Sequence, residues 1–296
     1  MDLRQAAYVV AVVDHGTFTA AAAAIPVSQP ALSQAIATLE RELGTELFHR
    51  LGRQVQLTAA GEAFVEPARR MLRDAEVARA AVGEVAGLTG GHLDVVALPT
   101  MVLQPLVDLV GRFRRDHPGV LVRIAEPEDA DAVALRVRSG AAELGLGDTA
   151  PDDDALAVDH LGRQALLAVL PPGTELGASG RITVGRLATF PLITSPQGTS
   201  SRRLLATALR EADDVGDPTV GVVTEHREAI VPLVVAGAGA SVLPEPVARA
   251  AEALGAVVAP VSPAITRDVV LVRRRGALSP AARAFRALAV GDEATP

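Results

Sequence analysis

Ser28-Gln29-Pro30-Ala31-Leu32-Ser33-Gln34-Ala35-Ile36-Ala37-Thr38-Leu39-Glu40-Arg41-Glu42-Leu43-Gly44 is the stretch that decides the N-terminal fold. Ser28 is a good N-cap, and Gly44 can close the helix that follows. Pro30 suits the first turn, where an amide has no intrahelical partner anyway. Leu32, Ile36, Leu39 and Leu43 recur at helical spacing and form the stripe to be buried. The opposite face shows Gln29, Ser33, Gln34 and Ala37. Upstream, Leu3, Ala7, Val10 and Ala11 predict a helix ended by Gly16, and Thr17-Phe18-Thr19 opens an Ala-rich helix that Pro26 stops. Downstream, Leu47-Phe48 and Val55-Gln56-Leu57 read as short strands around Arg50-Leu51-Gly52-Arg53. Three short helices and a two-stranded ribbon predict a winged helix-turn-helix.

A third helix of this kind can enter the major groove with its N-terminal residues at the base edges. The Gln amide can pair bidentately with adenine, Ser can donate or accept, and an open helix N-terminus favours phosphate. Arg50 and Arg53 sit where a wing reaches backbone or minor groove. The same periodicity also suits a small helical bundle with a polar face, and spacing alone does not separate the two.

Composition removes other classes. The chain has 296 residues, enough for about two domains. Cys is absent, which excludes disulfides, thiolate metal sites and a cysteine nucleophile. All 28 basic residues are Arg, so lysine Schiff-base and P-loop chemistry are excluded too. Aromatics are only 2 %, which argues against base-stacking platforms for single strands. The net charge of −7 is wrong for a wholly basic nucleic-acid coat but leaves room for a small DNA-reading module. The apolar run 6–13 imitates a signal-peptide core, but Asp2 precedes it and Asp14-His15-Gly16 follows where a cleavage site is expected. The run 229–244 is too short for a membrane span. A soluble, cytoplasmic chain with no membrane partner is expected.

Thr58 can cap a long helix over 59–85, interrupted by Pro67. Phe64, Ala68, Met71, Ala75, Ala78 and Val82 alternate in steps of three and four, a stripe suited to pairing with a second helix. The alternative is a helix lying on its own domain. Gly87-Leu88-Thr89-Gly90-Gly91 reads as a hinge.

Beyond residue 91, strand-like segments at 93–98, 121–125 and 144–147 alternate with amphipathic stretches at 102–116 and 129–139. A second set has strands at 165–170, 192–194, 220–224 and 241–243, with helices near 201–211, 227–236 and 245–254. A strand at 267–273 and a helix from about Ser279 complete it. This alternation predicts parallel sheets in two α/β lobes, with a ligand bound between them beyond the strand ends. Candidate contacts sit at strand-to-helix turns. They are Thr100 with Met101, Asp148-Thr149, Ser195, Gln197 and Thr199 in the 195–200 turn, and Thr224 with His226. Thr100 is expected to cap the helix after the first strand and free its amides for an anion. A small carboxylate suits these groups, although Asp148 and Glu225 would repel it unless Arg202 or another cation intervenes.

Gly16-Thr17-Phe18-Thr19-Ala20-Ala21, Val27-Ser28-Gln29-Pro30-Ala31-Leu32-Ser33-Gln34, Leu39-Glu40-Arg41-Glu42-Leu43-Gly44, Leu47-Phe48-His49-Arg50 and Leu57-Thr58-Ala59-Ala60-Gly61 closely resemble the N-terminal domain of LysR-type transcriptional regulators. The resemblance maps base-reading positions onto Gln29, Pro30, Ser33 and Gln34, with Arg53 in the wing. Phe113-Arg114-Arg115-Asp116-His117-Pro118-Gly119-Val120, Gly140-Ala141-Ala142-Glu143-Leu144-Gly145-Leu146 and 234–244 resemble, more loosely, the family's effector-binding region. That region has the fold of periplasmic solute-binding proteins. The resemblance implies a DNA-binding domain at 1–58, a dimerising linker helix and hinge at 59–88, and an effector domain at 89–296. Lobe one would span about 91–162 plus 267–296, and lobe two about 163–266. It implies a homodimer or a dimer-of-dimers tetramer on a palindromic operator in double-stranded DNA, a small-molecule effector, and RNA polymerase as a further partner. One departure matters. Residues 1–58 hold four Arg against five acids, a net of −1, where such domains are usually basic. Weak non-specific DNA binding is expected, because each missing phosphate contact lowers sequence-independent affinity.

Other constellations carry little. The six His have no metal-motif spacing, so no metal or cofactor is expected. Asp152-Asp153-Asp154 and Arg273-Arg274-Arg275 read as solvated runs. Gly237-Ala238-Gly239 has Val242 where a dinucleotide fingerprint needs its third Gly, and it follows a helix. No G-x-S-x-G elbow supports a hydrolase, so no enzyme is expected. The competing reading is a small-molecule binding protein whose N-terminal module only oligomerises.

Overall fold

A computed structural model describes residues 1–51, 54–84, 90–212 and 218–291. Helices α1 (Leu3–His15), α2 (Phe18–Ala24) and α3 (Gln29–Leu43) form the expected N-terminal module. Each start is set locally: Asp2 caps α1 in a capping box with Gln5, Thr17 caps α2, and Ser28 caps α3. Such caps contribute about 1 kcal/mol each. Gly44 ends α3 at φ 70°, a left-handed conformation that glycine adopts without steric cost. The apolar run that imitated a signal core turns Ala6, Val9 and Val12 of α1 into the module's interior. There Val9 and Val12 join Leu32, Ile36 and Leu39 of α3.

Strands β1 (Phe48–Leu51) and β2 (Gln54–Leu57) pair antiparallel as the wing. Phe48 meets Phe18 edge-on, with ring centroids 5.6 Å apart, which ties the wing to α2. The Glu40 carboxylate accepts from the Leu47 amide at 2.8 Å and so joins α3 to the strand entry.

Helix α4 (Ala59–Glu84) follows at once. Thr58 caps it, accepting from the Gly61 amide at 3.0 Å and donating to the Glu46 carbonyl at 2.7 Å. The predicted pairing stripe divides in two. Phe64 is half-buried against the N-terminal core, and Ala68 is fully buried, so Ala68 is closed to a partner helix. Helix α1 lies against this part of α4, so burial in the same chain uses up that half of the stripe. Met71 and Ala75 are half-buried, and Ala78 and Val82 are exposed. Gly87-Leu88-Thr89 of the predicted hinge lies outside the described residues.

The remainder has two lobes sharing one curled sheet. The first lobe contains β3 (Gly91–Ala97), α5 (Pro99–Met101), α6 (Val107–Asp116), β4 (Val120–Ala125), α7 (Ala130–Arg138) and β5 (Leu144–Gly147). A strand of fifteen residues, β6 (Leu156–Leu170), then crosses into the second lobe. That lobe holds β7 (Ile182–Thr183), α8 (Val184–Ala188), β8 (Leu192–Thr194), α9 (Ser200–Glu211), β9 (Val220–Val223), α10 (Ile230–Val235), β10 (Ser241–Pro244) and α11 (Glu245–Glu252). The chain returns along β11 (Val257–Arg274) and ends in α12 (Pro280–Val290).

The strand order is β10-β6-β11-β5-β3-β4, with β7 beside β11 and a separate β8-β9 pair. β3 pairs parallel with both β4 and β5, as alternation predicted. The expectation of purely parallel sheets is corrected at the middle: β11 is antiparallel to β5 and β6, and β10 is antiparallel to β6. The reason is the return of the chain. One strand leaves the first lobe and another comes back beside it, so they must run in opposite directions.

Each lobe has its own core. In the first, Leu93, Val95, Phe113, Leu144, Val270 and Phe285 pack together. In the second, one cluster holds Leu166, Ala168, Leu187, Leu192 and Ile265, and another holds Val169, Ile193, Val234 and Leu243. Among the described residues, no single helix is long and apolar enough to cross a membrane.

Candidate functional site

Two surfaces hold candidate residues. The first is the N-terminal part of α3. Ser28, Gln29, Pro30 and Gln34 are exposed, and Ser33 is half-buried. Gln29 Nε2 donates to Ser33 Oγ at 2.9 Å, so the two are pre-set side by side on one helical face. Ser28 directs its hydroxyl at the Ala31 amide as the cap. Further along, Arg41 donates to the Ala37 carbonyl and the Thr38 hydroxyl, which draws this cation along its own helix. Arg53, and the side chain of Arg50 in β1, lie outside the described residues.

The second is a cavity of about 460 Å³ between the lobes. Pro99, Thr100, Val102, Leu103 and Glu126 line it from the first lobe. The second lobe supplies an apolar wall that includes Ile193, Leu205, Val231 and Leu243. The polar groups there are Thr194, Ser195, Ser201, Arg202 and Arg227, with Glu225 and Glu228 also lining it. Arg202 donates to Thr194 Oγ1 at 2.8 Å. Arg227 Nε is buried without a hydrogen-bond partner among the described residues. Such an atom is costly to leave unmet, so a ligand acceptor would be favoured there. The three carboxylates are exposed, whereas both guanidinium residues are half-buried.

Of the expected contacts, Thr100 and Ser195 line this cavity. Thr100 does not cap its helix: Leu98 holds the cap position, and the Thr100 hydroxyl and carbonyl both accept from Arg267. Met101 is fully buried in the first-lobe core. Asp148 lies behind the cavity wall, bonded to Ser200 and Arg203, with Thr149 Oγ1 3.3 Å from it. The cation that meets Asp148 is thus Arg203, whereas Glu225, the other acid expected to oppose an anion, does line the cavity. Gln197 is exposed, and Thr199 donates to the Pro196 carbonyl at 2.8 Å. Thr224 accepts from the His226 amide, while the His226 ring is exposed beside Glu228 at 3.4 Å. Short turns place these side chains on the chain itself, so position at a strand end did not translate into access to the cavity.

Arg267 was missed. It is 3 % exposed and bonds Gln164 and Thr100 where β11 crosses between lobes. Burial pushes its pKa down to about 10, partly offset by the charge of Asp148. It therefore stays protonated near neutral pH. No periodicity signal marks it, because its role depends on a strand 103 residues away in sequence. The supposedly solvated Arg273 is also engaged, meeting Asp159 at 3.2 Å beside Arg286. Asp153 meets Arg138 at 3.5 Å. No group of three or more metal-ligating side chains occurs among the described residues.

A third cluster joins the modules. Arg69 of α4 pairs with Asp14 of α1. Arg73 of α4 donates to the Gly140 carbonyl and to Asp94 of β3. Burial alone would raise the Asp94 pKa, but hydrogen bonds from His92 and Arg123, with the Arg123 and Arg73 charges, bring it down to about 2.

Comparison with known proteins covers both halves. Residues 3–62 match the model of the bacterial regulatory helix-turn-helix protein, lysR family, and residues 86–292 match that of the LysR substrate binding domain. The SDS degradation transcriptional activation protein of a Pseudomonas species is 34 % identical over 99 % of this chain and 97 % of its own length. The regulator TfdS of Cupriavidus pinatubonensis is 34 % identical over 84 % of each chain. Among solved structures, a full-length OxyR variant from Pseudomonas aeruginosa superposes with a TM-score of 0.78 at 24 % identity, covering 98 % of this chain and 93 % of its own. Full-length CbnR in complex with its target DNA gives 0.65 at 23 %, covering 98 % and 99 %. At such identities the structural likeness speaks for the fold.

Proposed function

The chain belongs to the LysR family of bacterial transcriptional regulators and is a ligand-responsive DNA-binding regulator; from that premise we propose which of its residues read DNA and effector. Gln29, Pro30, Ser33 and Gln34 face the base edges, Ser28 and the α3 N-terminus meet phosphate, and Arg50 and Arg53 of the wing meet the backbone or minor groove. The carrying observation is the exposed face of α3 with its Gln29–Ser33 pair, opposite the buried Leu32, Ile36 and Leu39. The segments divide as 1–58 for DNA, 59–88 for linkage and 89–296 for effector.

Two copies pair through the part of α4 that its own chain leaves open, centred on Ala78 and Val82. They bind a palindromic operator, as a dimer or as two dimers, and from there contact RNA polymerase. The acidic balance of residues 1–58 makes avidity between copies important.

The effector occupies the cavity between the lobes. Its wall fits an amphiphile: an apolar body against Val102, Leu103, Ile193 and Leu205, and an anionic head, carboxylate or sulfate, at Arg202 and Arg227. The relative named for the degradation of SDS, an alkyl sulfate, supports the same class. The activity is regulation by population shift, with no catalytic step.

A mobility shift on DNA fragments flanking the gene, against random competitor and with and without octanoate, tests this. A specific complex altered by octanoate is expected. Octanoate binding without any DNA complex, even at low salt, would favour a plain small-molecule binding protein.

A further inference from the structure

Asp148 follows β5 in the first lobe, yet its carboxylate is bonded by the second. Its side chain is 2 % exposed. Ser200 Oγ donates to Asp148 Oδ2, and the Arg203 guanidinium reaches Oδ2 at 3.2 Å and Oδ1 at 3.4 Å. Both donors belong to the first turn of α9. On the other side stands Arg267, whose charge acts on Asp148 while Thr100 and Gln164 hold its side chain. Burying a carboxylate is costly unless donors and positive charge meet it, and here the donors come from across the cleft.

The same turn of α9 builds the cavity. Ser201 and Arg202 line it, with Leu205 from the next turn. Residues three apart share a helical face, so Ser200 and Arg203 face the first lobe while Arg202 and Leu205 face the cavity. One rigid turn therefore carries both the cross-lobe contact and a wall of the site.

We propose that Asp148, Ser200 and Arg203 form a latch between the lobes that holds α9 where its other face completes the effector cavity. The proposal rests on the reading of that cavity as the effector site. The latch is built from groups of the chain itself, so the cost of closing is met by the protein rather than by effector contacts. Without it, α9 and the second lobe sample positions in which the cavity is incomplete. Apparent affinity then falls by the fraction of molecules that remain competent.

Full-length Ser200→Ala and Arg203→Gln test the latch, with Asp148→Asn as the stronger lesion. Arg203 is 49 % exposed, so Arg203→Gln strands no buried cation, and Asp148 keeps the Ser200 hydroxyl and the nearby Arg267 charge. The first readout needs no ligand. Amide hydrogen exchange across 200–211 is expected to quicken by about tenfold in each variant while α7 keeps its protection. Unchanged exchange in α9 would overturn the latch. The second is octanoate titration by calorimetry, expected to weaken by about tenfold in the variants at unchanged stoichiometry. Equal affinity despite faster exchange would overturn the link between latch and cavity. Failure of octanoate to bind the unaltered protein would instead strike the effector-class reading, and the exchange result alone would then decide the latch.

Discussion

Arg73 of the connecting helix lies 3.2 Å from Asp94 of β3, and its Nε donates to the Gly140 carbonyl at 3.1 Å. A guanidinium from the helix that leaves the DNA-binding module is thus planted in the first lobe. Its side chain is only 9 % exposed.

Arg73→Leu keeps the apolar stem and removes the fork. It leaves the Gly140 carbonyl without this donor, although Asp94 retains Arg123 and His92. A loss of about 2 kcal/mol is expected in urea unfolding monitored in the first lobe. Operator binding should persist while its response to effector weakens, because α4 loses its grip on the lobe. A variant as stable and as responsive as the original would contradict this.

His92 adds pH dependence to the same junction. It lies 3.4 Å from Asp94 and 3.6 Å from Glu76 of α4, and Arg123 also faces it. The hydrogen bond to Asp94 raises its pKa above the ordinary 6.5, against the opposing pull of burial. A raised folded-state value means stabilisation that is complete below the ordinary value and lost as pH rises through the folded one. Melting temperatures at about pH 6 and about pH 8 should therefore differ more for the original protein than for His92→Gln. Asp94 runs the other way: its contribution is present above the ordinary carboxylate range and disappears as pH falls toward 2.

Gly61 sits in the first turn of α4 against the wing. A Cβ there would lie 2.1 Å from the Leu47 carbonyl oxygen, which is backbone and already accepts from the Thr58 amide at 3.0 Å. Gly61→Ala is expected to destabilise the N-terminal module by about 2 kcal/mol. Operator affinity should fall with it, and chemical denaturation with a mobility shift would show both.

The DNA contacts yield a contrast. Gln29→Ala and Ser33→Ala should each reduce discrimination between operator and random DNA by about tenfold or more, with little change on random DNA. The four Arg and five acids of residues 1–58 further predict a shallow salt dependence on random DNA. A slope comparable to six or more phosphate contacts would refute that expectation.

Legibility varied with the range of the interaction. The three helices and the second strand of residues 1–58 stand within one or two residues of their predicted ends, because caps and turn glycines act over three or four residues. Strand β1 instead runs on through Arg50 and Leu51, which had read as the turn. The strands of both lobes were legible where they are buried, as at Leu144–Gly147 and Leu192–Thr194. The crossing parts of β6 and β11 were not. Asp159, His160, Arg163 and Gln164 give β6 no apolar run, and the segment is held by pairing with β11, where Arg163 stands opposite Asp268. The start of β11 carries Pro260 and Pro263 at a break in register, which disguised it as a loop.

The amino-acid sequence by itself determined the winged module, the long helix after it, the α/β character of the rest and the family. Each is written in local spacing: a 3.6-residue stripe, a capping hydroxyl, a left-handed glycine. Tertiary structure alone decided most of the lining of the cavity between the lobes. It joined Thr100 to Arg267 and Asp148 to Ser200, and it brought Arg202 and Arg227 to one cavity while sending Met101 to the core. Those pairings lie up to 167 residues apart. They arise because two strands cross between the lobes, and packing at that range leaves no period in the sequence from which it could be read.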